Sequence, residues 1–387
     1  MAKKILFCVY GLGIGGIEKC LVNLINTLPV DQYQVDLLLM NPEEALKPEI
    51  KREVRYLDAL RYVANTTDTM DMIRRNGGII KHPGVVARYC AFRIAVKLRR
   101  SAWKVFHSLP EVYDIAVAYS QNDYSPYYVI DKVRAKRKIL WYHNGAYEGS
   151  PRKYLRDKKY YPAFDYVVAV SSDCKKMLQE RFELPDNQLI VLRNICDTAA
   201  VKEYARAFTP ANFESDAVHI VTVGRMTAEK GADLAVEACR ILCAEGRKIR
   251  WHWIGDGNRS NDVRKKVEQL GLIDNFILEG NQTNPYPFVY SADIYAQTSY
   301  YEAYSTTVTE AKVLCRPIVT TDVGGMRDQL TDGVNAFIVP VDAEALAAAI
   351  RTLMDHVNLR WDFSEKLRIE YVDTTDALNA YEATVFS

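Results

Sequence analysis

The residues best suited to chemistry lie in one run, Ser299-Tyr300-Tyr301-Glu302-Ala303-Tyr304-Ser305-Thr306-Thr307-Val308-Thr309-Glu310-Ala311. Glu302 and Glu310 flank a series of small hydroxyl residues, a composition unusual for a plain core element. An apolar stretch from Asp293 to Ala296 precedes the run, and a helical pattern ending near Leu314 follows it. A helix starting near Ser305 leaves Glu302 in the preceding loop and Glu310 more than a turn inside. The amides of Ser305, Thr306 and Thr307 then lack intrahelical partners at the positive end of the helix dipole, which suits a phosphate. Taken alone, the stretch reads equally as two carboxylates bracketing a bound molecule and as an ordinary helix start carrying an exposed acid.

Three other loops add suitable groups. In Gly224-Arg225-Met226-Thr227-Ala228-Glu229-Lys230-Gly231, a guanidinium fork and an ammonium together suit a diphosphate. Gly255-Asp256-Gly257 reads as a tight turn that leaves backbone room for a ligand. Near the start, Gly11-Leu12-Gly13-Ile14-Gly15-Gly16 follows the apolar run Ile5 to Tyr10 and satisfies the dinucleotide pattern G-x-G-x-x-G. An NAD site needs an acid at the end of the second strand, where this chain has Met40-Asn41-Pro42, and Asp36 stands near that strand's start. The glycine loop is therefore read as a ligand-approach loop for something other than NAD.

The elements that must position these loops alternate. Strands are expected at Ile5 to Tyr10, Gln34 to Met40, Val54 to Leu57, Asp114 to Tyr119, Lys138 to Tyr142, Tyr166 to Val170 and Leu189 to Leu192. A second series begins at Val218 to Val223 and runs through Ile249 to Ile254, Phe276 to Leu278, Asp293 to Ala296, Pro317 to Thr320 and Ala336 to Val339. Helical patterns separate most of them, which makes an α/β protein with two parallel, doubly wound sheets. Asn194 to Phe213 is loop-rich and reads as a linker between the two. Ligands sit at the carboxyl ends of strands in such sheets, and two such domains facing each other would hold one ligand in the cleft between them.

Composition narrows the classes. With 387 residues the chain exceeds one ordinary core, and a net charge of +1 argues against a polyanion such as nucleic acid as partner. The eight cysteines are scattered without Cys-x-x-Cys or a Cys/His cluster, favouring reduced thiols; Cys239 and Cys243 share a helix face as two core thiols. The opening Met-Ala-Lys-Lys and the short run after it do not make a signal peptide, and no window of eighteen residues is wholly apolar. The expectation is a cytoplasmic protein.

The basic residues are uneven. From Met72 to Pro110 there is no Asp or Glu, while Arg74, Arg75, Lys81, Arg88, Arg93, Lys97, Arg99, Arg100 and Lys104 are cationic. A helix from about Val85 would line up Val85, Tyr89, Phe92, Val96 and Trp103, flanked by Arg93, Lys97, Arg100 and Lys104. Such a basic amphipathic helix suits an anionic membrane surface or an anionic acceptor, against the simpler reading of a solvated basic face.

In order, Val223-Gly224-Arg225, Glu229-Lys230-Gly231, Ile254-Gly255-Asp256-Gly257, Ser299, Glu302 and Glu310-Ala311, Thr321-Asp322-Val323-Gly324-Gly325 and Asp332-Gly333-Val334-Asn335-Ala336 resemble the family 4 retaining glycosyltransferases of GT-B fold. Gly15-Gly16-Ile17-Glu18 and Asn194-Ile195 are also similar to that family, and the likeness is weakest from about residue 58 to 112. The resemblance implies an N-terminal acceptor domain over 1–195, with the basic insertion at 72–110, and a nucleotide-sugar domain over 196–359. It further implies that the tail at 360–387 crosses back to the first domain, with Trp361, Leu367, Tyr371, Leu378 and Tyr381 as its packing residues.

It also assigns roles. Arg225 and Lys230 would neutralise the donor diphosphate, Glu310 would bind the ribose and Glu302 the hydroxyls of the donor sugar. Gly13, Gly15 and Gly16 would close over the diphosphate; Gly224, Gly255, Ala303, Tyr304, Ser305 and Thr306 would line the donor site. His143, in Trp141-Tyr142-His143-Asn144, would reach the donor sugar. Ala303 stands where the family usually has glycine. The implied reaction is hexosyl transfer with retention, from a UDP-sugar to a lipid-linked saccharide or other glycan in surface or capsular polysaccharide synthesis, at the inner face of the membrane. Arg88, Arg93, Lys97, Arg100 and Lys104 would face the acceptor or membrane. No Asp-x-Asp occurs, so the reaction is expected to need no metal and no cofactor beyond the nucleotide sugar. The alternatives are a non-catalytic partner subunit of the same fold and a nucleotide-sugar epimerase.

Overall fold

The protein is described from a computed structural model, which covers residues 2–13, 15–41, 44–57, 83–98, 101–121, 124–211, 213, 216–370 and 374–386. It forms two compact units, Met1–Ile195 with Thr375–Ser387, and Cys196–Thr374. Each unit is built on one parallel sheet, and most of its strands carry a buried apolar run, as a sheet covered by helices on both faces requires.

In the first unit the strands are β1 (Lys3–Val9), β2 (Tyr33–Leu39), β3 (Arg55–Tyr56), β4 (Val112–Ala118), β5 (Arg134–Tyr142), β6 (Tyr166–Ala169) and β7 (Leu189–Val191). Their order is β3-β2-β1-β4-β5-β6-β7, so the chain winds outward from β1 in one direction and then from β4 in the other. Ile5 to Val9 are fully buried, as a strand covered on both faces requires. Asp36, the acid considered for a ribose, is fully buried instead and accepts hydrogen bonds from Arg55 Nε (3.0 Å) and the Tyr113 hydroxyl (2.8 Å).

The second unit repeats the plan with β8 (Val218–Val223), β9 (Ile249–Ile254), β10 (Phe276–Gly280), β11 (Ile294–Gln297), β12 (Ile318–Thr321) and β13 (Ala336–Val339), in the order β10-β9-β8-β11-β12-β13. One face of this sheet packs Ile220, Trp251 and Trp253 against the helices Ala232–Ala244 and Ala343–Asp355. The other packs Val221, Ile254 and Tyr295 against the helix Thr306–Val313. Each sheet has a switch point where the winding reverses, between β1 and β4 and between β8 and β11, and loops diverge there to leave a crevice.

Four expectations are corrected. The segment 196–205 is no linker: Asp197 caps a helix, Thr198–Tyr204, whose Val201 and Ala205 are buried in the second unit. The tail is divided, since residues through Thr374 belong to the second unit and those from Thr375 to the first. Within it, Leu367, Leu378 and Tyr381 are buried, but Trp361 is 64 % exposed; Phe363 and Leu367, one turn apart, face the core and turn Trp361 outward. Tyr371 lies outside the described residues.

The fourth correction concerns the basic insertion. Its helix, Pro83–Lys97, stops before Trp103, which sits in a separate short turn and donates to Asp131 Oδ2 (2.8 Å). Phe92 and Trp103 are buried but Val96 is exposed, so the foreseen apolar stripe is broken. Arg93, Lys97 and Lys104 are exposed, whereas the Arg88 side chain is buried and does not belong to a solvated cationic face. Arg74, Arg75, Lys81, Arg99 and Arg100 lie outside the described residues. None of the described helices is long and apolar enough to cross a membrane.

These corrections are testable by stability. Val201→Ala should cost roughly 1.5–3 kcal/mol in urea unfolding, the value of a buried valine side chain, while Trp361→Ser should stay within about 0.5 kcal/mol of the intact protein.

Candidate functional site

In the second unit the carboxyl-terminal loops of β8 and β11 meet at the switch point. Thr298 Oγ1 donates to the carbonyls of Lys230 and Gly231 (both 3.1 Å), and the Tyr300 amide donates to the Glu229 carbonyl (2.8 Å). Gly231 has φ +66°, and a Cβ there would lie 2.0 Å from the Thr298 carbonyl oxygen, so only glycine permits this junction. The junction brings Lys230 Nζ to 2.6 Å from Glu302 Oε1. Glu302 is 9 % exposed and Lys230 21 %. Oε1 also accepts from Ser299 Oγ (2.7 Å) and Gln297 Nε2 (3.0 Å). A carboxylate so far removed from water is tolerable because an ammonium and two neutral donors replace its solvation. None of these three bonds uses Oε2.

The other members of the site stand around this pair. Arg225 is 69 % exposed and only 3.4 Å from Glu229 Oε1, a loose surface pair that leaves its guanidinium available for a ligand. The Lys230 stem packs beside Gly224, where a Cβ would lie in ordinary contact, 3.8 Å from Lys230 Cγ and Cδ. The room at Gly255 is not for a ligand, contrary to expectation. With φ +133° and a virtual Cβ 2.2 Å from the Gly224 carbonyl oxygen, Gly255 is glycine because the β8 loop fills that space. Met226 N–H to Asp256 O and Arg259 N–H to Met226 O, both 2.9 Å, complete the interlock of the two loops.

Ser305 is the N-cap of the helix Thr306–Val313, its hydroxyl accepting from the Val308 amide at 3.4 Å. The amides of Thr306 and Thr307 stand in the first turn, where no carbonyl of the helix lies four residues back to accept from them; the first intrahelical backbone bond is Thr309 N–H to Ser305 O (3.2 Å). Glu310 is buried inside the helix, and its Oε1 accepts from the Tyr286 hydroxyl (3.0 Å). Ala303 is buried with an ordinary negative φ, so alanine is unstrained in the place of the family's glycine. The glycine this loop does require is Gly325 (φ +75°), where a Cβ would meet the Ala303 carbonyl oxygen at 1.9 Å. Tyr304 is half-buried beside it.

In the first unit, His143 follows β5, and burial lowers its pKa from 6.5 to about 3, keeping the imidazole neutral. The Tyr119 backbone carbonyl accepts from the ring, which leaves Nε2 unprotonated, buried and without a partner among the described residues. The His143 amide donates to Gln121 Oε1 (3.2 Å), and among the described residues Gln121 Nε2 is also buried without a partner, as are Asn41 Oδ1 and Asn194 Oδ1. All four residues lie just past carboxyl ends of strands, where unsatisfied buried polar atoms mark a place for a polar ligand. The glycine loop leads into the helix Gly16–Thr27 with Gly15 as N-cap and Gly13 buried; the Glu18 carboxylate fills the flank of Gly15.

The structure therefore joins Lys230 to Glu302 and places Arg225, Ala303, Ser305 and Thr306 in the loops around them, with Glu310 one turn into the adjoining helix. Sequence reasoning missed Gln297, Tyr286 and Gln121. A signal for Gln297 was present: in Tyr295-x-Gln297-x-Ser299 strand alternation puts three polar side chains on one face.

Two family models match this chain: Glycosyltransferase Family 4 over residues 14–200, and Glycosyl transferases group 1 over residues 205–369. Between them they account for nearly all of it, and the protein belongs to the family 4 glycosyltransferases of GT-B fold. It is 30 % identical over 149 residues to the alpha-D-kanosaminyltransferase of Streptomyces kanamyceticus, covering 38 % of this chain and 39 % of that one. It is 24 % identical over 166 residues to the poly(ribitol-phosphate) alpha-N-acetylglucosaminyltransferase of Staphylococcus aureus, covering 42 % and 34 %. The matched stretch thus spans less than half of either relative. In fold it is similar to Anabaena HepE, solved in complex with UDP and glucose, with a TM-score of 0.73, 16 % identity and 99 % of each chain covered.

The buried neutral imidazole makes a prediction about acid. A folded-state pKa below the unfolded 6.5 means that the unfolded chain takes up a proton the folded one refuses. The stabilisation is complete above pH 6.5 and is lost as pH falls toward 3. Urea unfolding at pH 7.5 and pH 5.5 should therefore show a smaller acid penalty in His143→Asn than in the intact protein, by about 1.4 kcal/mol, one pH unit below the unfolded pKa.

Proposed function

We propose that the protein transfers a hexosyl group, with retention, from a UDP-sugar to a lipid-linked saccharide or other glycan in the building of a surface polysaccharide. The observation that carries this reading is the Lys230–Glu302 pair, 2.6 Å apart at the switch point of the second sheet. An ammonium that can neutralise a diphosphate stands beside a carboxylate that can accept from sugar hydroxyls. Arg225 supplies a second cation, and the amides of Thr306 and Thr307 a helix N-terminus. Glu310, oriented by Tyr286, takes the ribose hydroxyls, and the unprotonated His143 Nε2 accepts from a hydroxyl of the donor sugar.

In this mechanism the acceptor hydroxyl attacks the anomeric carbon on the face from which the nucleotide leaves. The bond from that carbon to the β-phosphate oxygen breaks, and a phosphate oxygen receives the acceptor's proton. UDP departs with its new charge held by Lys230 and Arg225, so these cations do the work a metal does elsewhere. Lys230 must leave Glu302 to reach the diphosphate.

The acceptor class is supported by the kind of polymer named for the Staphylococcus aureus relative, and a membrane-peripheral location by the exposed Arg93, Lys97 and Lys104 beside exposed Ile94 and Leu98. The unstrained backbone at Ala303 removes that residue as a reason to prefer a non-catalytic partner subunit.

Incubation with a panel of UDP- and GDP-sugars and a lipid extract tests the reading: nucleotide release with a glycosylated lipid or glycan, anomeric configuration preserved by NMR, is the expected result. Release without acceptor, with conversion of the sugar nucleotide, would identify an epimerase, and no nucleotide binding at all would refute the proposal. Lys230→Ala should lower kcat by about 10²–10³-fold. Glu302→Gln should bind free UDP no more weakly than the intact protein, because it releases Lys230, yet lose turnover. Arg93→Glu with Lys97→Glu should reduce sedimentation with vesicles containing anionic lipid, and leave sedimentation with neutral vesicles unchanged.

A further inference from the structure

Gln297, the last residue of β11, is 1 % exposed and carries four hydrogen bonds on one carboxamide. Its Oε1 accepts from the Tyr295 hydroxyl (2.8 Å) and from Thr307 Oγ1 (3.2 Å). Its Nε2 donates to Ser299 Oγ (2.8 Å) and to Glu302 Oε1 (3.0 Å), and Ser299 Oγ passes its own proton to the same Oε1 at 2.7 Å. This orientation is the only one the chemistry allows. A carboxylate can only accept, so the amide nitrogen must face Glu302; the carbonyl then faces Tyr295, whose fully buried phenol keeps its proton and must donate it.

The network has one charged donor and two neutral ones. When a diphosphate takes Lys230, Glu302 keeps, among the described residues, Gln297 and Ser299, and Ser299 is itself aligned by Gln297. We propose that Gln297 is the positioning residue for Glu302: after Lys230 has moved to the diphosphate, its amide holds Oε1 and so aims Oε2 at the hydroxyls of the donor sugar. The inference rests on the reading of Glu302 as the sugar-binding carboxylate. Gln297 thereby sets the choice between donor sugars that differ at a single hydroxyl, without touching the sugar.

Two near-isosteric variants test it. Gln297→Met fills the same space without a donor. It should raise KM for the UDP-sugar about 10- to 100-fold, the range for a hydrogen bond to a charged group, and erode the preference between epimeric donors. Its affinity for free UDP should stay at the intact value, which a merely structural role for Gln297 would not allow. Gln297→Glu puts a second carboxylate against Glu302, and its activity should recover as pH falls and the new carboxyl becomes a donor. Crystal structures of unliganded Lys230→Met and of Lys230→Met with Gln297→Met give an arm free of activity: the Glu302 carboxylate should keep its place in the first and lose it in the second. If Gln297→Met leaves the UDP-sugar to UDP affinity ratio unchanged and Glu302 keeps its place in the double variant, the inference is overturned. If the intact protein binds no UDP- or GDP-sugar, the proposed function fails instead, and the two crystal structures still decide whether Gln297 holds Glu302.

Discussion

The site depends on one ion pair whose partners come from different strands. Lys230 belongs to the loop after β8 and Glu302 to the loop after β11, and they meet only because those strands are neighbours in a sheet that winds away from both. A lysine and a glutamate 72 residues apart could not be held at hydrogen-bond distance by a surface contact of ordinary strength. Here the backbone does the holding, through Thr298 against Lys230 and Gly231 and through Tyr300 against Glu229. The pair is also poised rather than inert, since the ammonium that stabilises the buried carboxylate is the group a diphosphate would claim.

The glycines of these loops differ in what demands them, a difference that a sequence motif does not show. Gly231, Gly255 and Gly325 have positive φ and stand against carbonyl oxygens of neighbouring loops, so they make loops interlock. Gly224 is different: a Cβ there would stand in ordinary contact with the Lys230 stem, so no close neighbour demands its glycine. A conformational demand and a demand for space look alike in a string of letters, and they part only when the neighbour filling the space is known.

Much of the fold was legible because parallel strands buried on both faces read as apolar runs bounded by glycine and polar loops, and the strands of both sheets fall close to where that pattern puts them. The loops bearing Lys230 and Glu302 were legible for the same reason, as carboxyl ends of strands. The helix Thr198–Tyr204 was not, because seven residues with a single buried valine carry too little periodicity to stand out from a linker. Trp361 misled for the opposite reason: a large aromatic invites burial, but a helix face is decided by phase, and Phe363 with Leu367 held the inward one. Gln121 escaped notice because an uncharged amide at a strand end says nothing about its role until its partners, or the lack of them, can be seen; the alternation around Gln297 marked a polar face but not the carboxylate it serves.

The first unit is not continuous along the chain. Tyr381 is buried in it, its ring edge-on to Trp141 and its hydroxyl donating to the Arg193 carbonyl, and Lys3 Nζ donates to the Phe386 carbonyl at 2.8 Å. A ribosome making this protein therefore finishes the second unit before the first has all its parts. For as long as those 179 residues from Cys196 to Thr374 are being synthesised, the seven-stranded sheet waits with the Trp141 side uncovered. The order of birth and the order of completion are reversed, and the nascent first unit is the stage at which a cell's holding chaperones have something to hold.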